Sequence, residues 1–287
     1  MRVFLNGRWV PPGKARVSVL DHGFLYGDGV FETLRAYNGS IFRLSAHLSR
    51  LRRSARRLRI RLPYPGEQFS NLLRMGLRKN KLADAVLRVA VTRGPGAVGL
   101  DPSLCKNPTV VFLVRPFKGH PKDSYRRGLT ASICGIRRIP PESLDPAIKS
   151  GNFLNNILAR MESLDRNTDE GIMLSTKGTI AEGTVSNVFF VSRNRIYTPA
   201  LDTGILPGIS RDVVMDLARR AGYTVREGRF RPARLKTADE CFLTNTSMEV
   251  MPVVRVDGKK IGKGVPGPVT GKLHAAYRER VKRECSG

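Results

Sequence analysis

At 287 residues, 41% hydrophobic and 26% charged, the chain has the size and composition of a globular protein with room for two cores. Its four cysteines lie far apart with no C-x-x-C and no histidine at metal spacing, so neither a metal site nor a disulfide framework is expected and a reducing cytoplasm fits best. The 50 Lys and Arg against 24 Asp and Glu give a net charge of +26, a balance compatible with nucleic acid, an anionic surface or acidic metabolites.

Two β-hairpins open the chain, one turning at Asn6-Gly7 and the other at Asn38-Gly39. The run Val30 to Tyr37 alternates with period two. Phe31, Thr33, Arg35 and Tyr37 share a face suited to the wall of an anionic pocket, while Val30, Leu34 and Ala36 share a core-like face. From Arg43 to Arg61, arginines surround an apolar stripe of Leu44, Leu48, Leu51, Ala55 and Leu58, the pattern of an amphipathic helix with a solvated basic face. No aromatic platform or nucleic-acid motif accompanies it, so the charge reads as compositional and no nucleic-acid partner is expected. Nor does any apolar run approach the length of a membrane span, and no export leader is apparent, so the chain reads as soluble with no membrane partner.

A second helix is predicted near 66–81, followed by strands at 85–92 and 109–114. Gly94 to Gly99 matches G-x-G-x-x-G after the first of these strands, but it runs into Leu100-Asp101-Pro102 and opens no helix, which removes the phosphate cradle. A segment rich in Pro, Gly and charge places an interdomain linker at 118–125, between a domain at 1–117 and another at 126–287. The second domain begins with a strand at 129–133.

The run Pro146 to Asn156 carries Lys149 among small, apolar and amide residues. Beyond a helix at 152–166 and a strand at 171–175, the segment Ala181 to Val191 sets Glu182 at the mouth of an apolar strand. A lysine withdrawn from water loses basicity and serves as nucleophile and proton carrier, and a separate carboxylate can hold a pyridinium nitrogen protonated. Farther on, Gly204 to Asp212 reads as a glycine turn feeding a helix start, where free N–H groups and the Ser210 hydroxyl can receive a phosphate. Thr244 to Glu249 adds hydroxyls and amides at a strand end.

Taken in order, Tyr26 to Arg35, His47 to Leu51, the Lys149 run, Glu182 to Asn187, Leu206 to Arg211 and Thr244 to Pro252 resemble the class IV (fold type IV) pyridoxal-phosphate enzymes. That family holds branched-chain aminotransferases, D-amino-acid aminotransferases and aminodeoxychorismate lyases. The resemblance implies an α+β fold with a small N-terminal α+β domain, a larger C-terminal domain with a β-barrel-like sheet, and pyridoxal 5′-phosphate bound between them in a homodimer. It implies that Lys149 is the Schiff-base lysine, that Glu182 pairs with the pyridine nitrogen, that Arg50, Ile209, Ser210 and Thr246 bind the phosphate, and that Arg138 lies near the cofactor. Tyr26, Phe31, Thr33, Arg35, Arg88 and Ser247 become candidates for the substrate pocket.

Departures from the family patterns bear on substrate. Branched-chain enzymes usually carry glycine at the position of Thr33, and Phe153 cannot donate the hydrogen bond that a tyrosine would give the cofactor's phenolic oxygen. Thr33 and Ser186-Asn187 lean to the lyases and D-amino-acid enzymes, while Val98-Gly99-Leu100 lacks the cation of both. The balance implies an aminotransferase acting on an apolar, branched-chain-like amino acid and a 2-oxo acid, with aminodeoxychorismate lyase or D-amino-acid aminotransferase as the alternative.

Overall fold

The computed structural model describes residues 1–286, which form two compact units. The first comprises Met1–Lys118, Ile148–Phe153 and, among the described residues, 281–286, which include the end of the last helix; the second comprises Gly119–Ala147 and Leu154–Arg280.

The first unit is built on a six-stranded antiparallel sheet of β1 (Val3–Leu5), β2 (Arg8–Val10), β3 (Gly29–Tyr37), β4 (Ser40–Ile41), β5 (Ala85–Thr92) and β6 (Thr109–Pro116), in the order β2-β1-β6-β5-β3-β4. Its helices are α1 (His22–Tyr26), α2 (Leu44–Arg57) and α3 (Gly66–Asn80). Both Asn-Gly turns form with positive φ at each residue, which matches the twist of a two-residue hairpin. Alternation along β3 sorts as the sequence predicts. Val30, Leu34 and Ala36 join Leu87, Val89, Phe112 and Val114 in a core closed by Leu48, Leu51 and Ala55 of α2 and Leu73 and Leu77 of α3. Helix α2 buries a second stripe as well, composed of His47, Arg50 and Ser54. Arg50 therefore leaves the solvated basic face, which Arg52, Arg53, Arg56 and Arg57 make up.

Residues 148–153 lie against the start of β3. The Phe31 N–H donates to the Lys149 carbonyl at 3.0 Å and the Gly151 N–H to the Gly29 carbonyl at 2.7 Å, with Val30 and Ser150 bridged antiparallel between them. The Lys149 N–H donates to Ser54 Oγ at 3.1 Å, and Ile148 packs on the core of this unit.

The second unit holds α4 (Lys122–Arg127), β7 (Leu129–Arg137), α5 (Leu154–Asp165), β8 (Glu170–Leu174), β9 (Ile180–Gly183), β10 (Asn187–Ser192), β11 (Arg195–Pro199), α6 (Ile209–Arg220), β12 (Thr224–Gly228), α7 (Ala233–Lys236), β13 (Glu240–Asn245), β14 (Glu249–Val256), β15 (Lys259–Lys260) and α8 (Pro268–Cys285). Strands β10, β13, β14, β7, β8 and β9 pair in sequence, and β9 pairs back to β10 through Glu182 and Asn187, closing a barrel. Ile172, Leu174, Ile180, Val188, Phe190, Leu243, Met251 and Val253 share its core.

The residues expected as a linker at 118–125 include the start of α4, and Lys149 groups with the first unit instead of the C-terminal one. The strand expected at 185–191 is present as β10 from Asn187, and Glu182 lies on the preceding arm β9 of the same hairpin, because the chain reverses at Thr184–Ser186 with the Gly183 N–H donating to the Ser186 carbonyl at 2.7 Å. A buried carboxylate fixes that reversal. Glu170 accepts from the Thr184 hydroxyl, from the Thr184 N–H at 3.2 Å and from Ser186 Oγ at 3.1 Å. A Glu170→Leu substitution leaves these buried donors unpaired, so urea unfolding should read a loss of about 1–3 kcal/mol or more.

Candidate active site

In the first unit, the Lys149 side chain emerges between two aromatic rings. Its Nζ lies 4.5 Å from the centre of the Phe31 ring and 5.9 Å from that of Phe153, and the two rings meet edge to face at 5.3 Å. The other contact of Phe31 is Arg88, whose guanidinium sits 3.8 Å above the same ring. Thr33 and Arg88 are directly paired across β3 and β5, and Arg35, Val86 and Arg115 form the next row of the same face. Cross-strand neighbours on one face interact, so this is a cationic wall. Burial and the Arg115 charge pull the Arg88 guanidinium below its usual pKa. Arg35 is buried over Tyr37 at 4.2 Å and Phe117 at 5.0 Å. The structure thus brings Lys149, Phe31, Thr33, Arg35 and Arg88 onto one surface, with Arg115 as a member that pocket-face reading of β3 alone missed. Tyr26 stands apart from it in α1, accepting from the Gly99 N–H at 3.0 Å.

Behind this surface, Glu32 sits at 0% exposure on the core face of β3. It accepts from Arg50 Nε at 2.7 Å, Arg50 Nη2 at 2.9 Å and His47 Nδ1 at 2.7 Å. Burial opposes its charge, but the hydrogen bonds and charges of Arg50 and His47 prevail and lower its pKa from 4.5 to about 2. Burial, with the charges of Arg50 and Lys149 against the counter-pull of Glu32, lowers the pKa of His47.

In the second unit, Glu182 is buried at the end of the barrel. It pairs with Arg138 Nε at 2.8 Å, accepts from the Leu206 N–H at 3.0 Å, and lies 3.5 Å from Asn187 Nδ2. Arg138 is also held by the Gly204 carbonyl at 3.2 Å and by Asn155 and Asn156. Helix α6 starts immediately beyond this cluster. Its N-cap, Gly208, supplies no side chain to the first N–H groups, and a Cβ there would lie 2.0 Å from Asn187 Oδ1. Buried Arg211 anchors that first turn through the Pro199 carbonyl at 3.0 Å and Glu227 at 2.6 Å, and Ser210 Oγ meets the Tyr277 hydroxyl at 3.2 Å.

Asn187 pairs with Thr244 on β13, so Thr246 and Ser247 fall in the turn that follows at the same barrel end, with Ser247 tied to Asn245 Oδ1. These residues fit pyridoxal phosphate: a paired carboxylate can accept a pyridinium N–H, and an uncapped helix start offers N–H groups and dipole to a phosphate. Among the described residues no group of His, Cys, Asp and Glu is placed to hold a metal ion, and no helix is long and apolar enough to cross a membrane.

The amino-transferase class IV family profile matches residues 29–256. Over 279 residues the chain is 41% identical to a provisionally named branched-chain-amino-acid aminotransferase of Methanocaldococcus jannaschii, covering 97% of this chain and 96% of that protein. It is 34% identical to an aminodeoxychorismate lyase of Bacillus subtilis, covering 98% and 94%. Among solved structures, a T.th. branched-chain amino acid aminotransferase with pyridoxamine 5′-phosphate superposes with a TM-score of 0.95 at 33% identity, covering 99% of this chain and 94% of that one. The chain belongs to the class IV aminotransferase family, with its fold type IV architecture. It is a pyridoxal-phosphate-dependent transaminase.

The buried histidine sets a pH dependence. The folded pKa of His47 lies below the ordinary 6.5, so the unfolded chain binds its proton first. Stability from this group is complete above that pH and declines below it. Glu32 acts lower, its contribution being complete above 4.5 and lost toward about 2. A His47→Asn variant should lose stability less steeply than the parent as pH falls from 7 to 5.5, read as urea midpoints.

Proposed function

We propose that the enzyme moves an amino group between an apolar, branched-chain-like amino acid and a 2-oxo acid such as 2-oxoglutarate or pyruvate. The observation that carries this reading is the sequence of groups along one surface: the Lys149 amine, the Phe31 and Phe153 rings, then Arg88 on the far contact of Phe31. Apolar rings next to the amine suit an aliphatic side chain, and a solvent-exposed cation on the same ring suits a carboxylate. Arg35 is the second carboxylate candidate, with Thr33 beside Arg88 on the same face, and Tyr26 and Ser247 are substrate candidates on the family resemblance alone.

In this reading Lys149 would hold the cofactor through its amine. Glu182, paired with Arg138, would accept the pyridine N–H, and Arg50, the N–H groups of Ile209 and Ser210, the Ser210 hydroxyl and Thr246 are the residues that would hold the phosphate. Bound pyridoxal phosphate supplies the electron sink that makes the substrate Cα–H acidic. With that group bound, Lys149 would take the substrate's Cα proton and pass it to the cofactor carbon that bears the amino group, and in the opposite half-reaction it would carry a proton from that carbon to Cα of the oxo acid. The phenyl rings of Phe31 and Phe153 keep water from the amine during that transfer.

The second reading, aminodeoxychorismate lyase, draws on Thr33, whose cross-strand partner is Arg88 and whose hydroxyl would assist elimination of pyruvate. Purified protein should transfer the amino group of L-leucine to 2-oxoglutarate, and Lys149→Ala should cost at least about 10³-fold in rate. Pyruvate release from aminodeoxychorismate with no amino acceptor present would overturn the transaminase assignment in favour of the lyase. Faster turnover of D-alanine than of L-leucine would favour the D-amino-acid enzymes.

A homodimer is part of the proposal. Helix α5 is inverted: Asn156, Ala159 and Ser163 face inward, whereas Leu154, Ile157, Leu158, Met161 and Leu164 are exposed at helical spacing. Such a stripe marks a protein interface. The four free thiols, with Cys241 pushed by burial up to about 12, accord with a reducing cytoplasm. Met161→Glu should convert a dimer to a monomer in light scattering coupled to gel filtration; a monomeric parent would refute the assembly.

A further inference from the structure

The buried carboxylate of Glu32 has no part in the chemistry above, and its position is costly. It occupies the apolar layer of β3 between Val30 and Leu34, where an ionised group is tolerated only with partners that replace its water. Both partners come from α2, one turn apart, so a single helix face meets the strand at this carboxylate. Its two oxygens grip the Nε and Nη2 edge of Arg50 side-on, which fixes the plane of the guanidinium as a single hydrogen bond would not. His47 Nδ1 closes on the oxygen that also takes Nη2, and its ring is 2% exposed. One turn farther along α2, Ser54 holds the backbone of Lys149.

We propose that Glu32 is a positioning residue for the cofactor phosphate: it orients Arg50 before the ligand arrives, and His47 buttresses the carboxylate from the same helix face. The inference rests on the assignment of Arg50 to the phosphate. A carboxylate that merely ties α2 to β3 would support every ligand equally, whereas one that aims Arg50 acts only on ligands that carry a phosphate. Pyridoxal and pyridoxal phosphate differ by that group alone.

The test reconstitutes the full-length protein, stripped of cofactor, with each of the two aldehydes and traps the product on Lys149 with borohydride. Glu32→Gln should weaken pyridoxal phosphate about 10- to 100-fold, the worth of a charge-assisted contact, and change pyridoxal by less than about two-fold. The ³¹P resonance of the bound phosphate should shift. Arg50→Gln should show the same selectivity, and the double variant should be no worse than Arg50→Gln alone, because both changes remove one device. Should Glu32→Gln fail to fold, Glu32→Asp keeps the charge but withdraws the carboxylate from the side-on grip, and a smaller loss confined to pyridoxal phosphate is expected. Equal loss of both aldehydes, or loss of neither, overturns the role of Glu32 while leaving Arg50 in place. An Arg50→Gln variant that treats the two alike instead removes the phosphate assignment itself, and the inference with it.

Discussion

The short backbone ladder that joins residues 148–153 to the first strand residues of β3 is the constraint on which the rest depends. A lysine nucleophile works only if its main chain is held still, since its side chain has rotatable bonds enough to wander. Here the carbonyl of Lys149 is committed to Phe31 and its N–H to Ser54, so both backbone groups of the residue are tied to the sheet and helix of one unit. The same strand that receives the lysine supplies the ring beside its amine, the threonine and arginine of the pocket wall, and, from its opposite face, the carboxylate that grips Arg50. Period-two alternation thereby lets one strand serve a reactive surface and a core at once.

Much of this was legible in the sequence wherever a local rule operates. The Asn-Gly turns, the alternating run at 30–37 and the apolar stripe of α2 follow from turn chemistry and periodicity, which need no knowledge of what lies across the contact. The strand at 85–92 and the failure of Gly94 to Gly99 to open a helix are of the same kind. Long-range pairing was not legible. The apolar residues after Glu182 do form a strand, but that Glu182 pairs back with Asn187 across a reversal at Thr184–Ser186 depends on Glu170, whose partners lie elsewhere in the chain. Strands β12 and β14 and helix α8 also lie beyond the elements that periodicity identified.

The site divides similarly. Lys149 and Glu182 stand out against their flanks, and the glycine turn before Ile209 announces a helix start. Glu32 and His47 did not stand out, because a charged residue in an alternating strand and a histidine in a basic helix are ordinary until both prove buried and joined. By periodicity Arg50 is one more arginine of a solvated face; the family motif at His47 to Leu51 singles it out, and its burial separates it physically from Arg52 and Arg53. Helix α5 carried a readable signal of a different sort, since its larger apolar residues fall on the side away from the barrel.

Gly208 has a consequence for how this protein can change. A methyl group at that position would displace Asn187, and Asn187 is the residue that touches both the Leu206 carbonyl and Glu182. The start of α6 and the carboxylate at the barrel end therefore share one amide side chain as a hinge pin. Adjusting the grip on an anion by altering that turn would disturb the carboxylate as well, so inherited variation at either end must be matched at the other. The sheet face that carries Thr33, Arg88 and Arg115 lies on separate strands, where a side chain can be exchanged without unseating that pin.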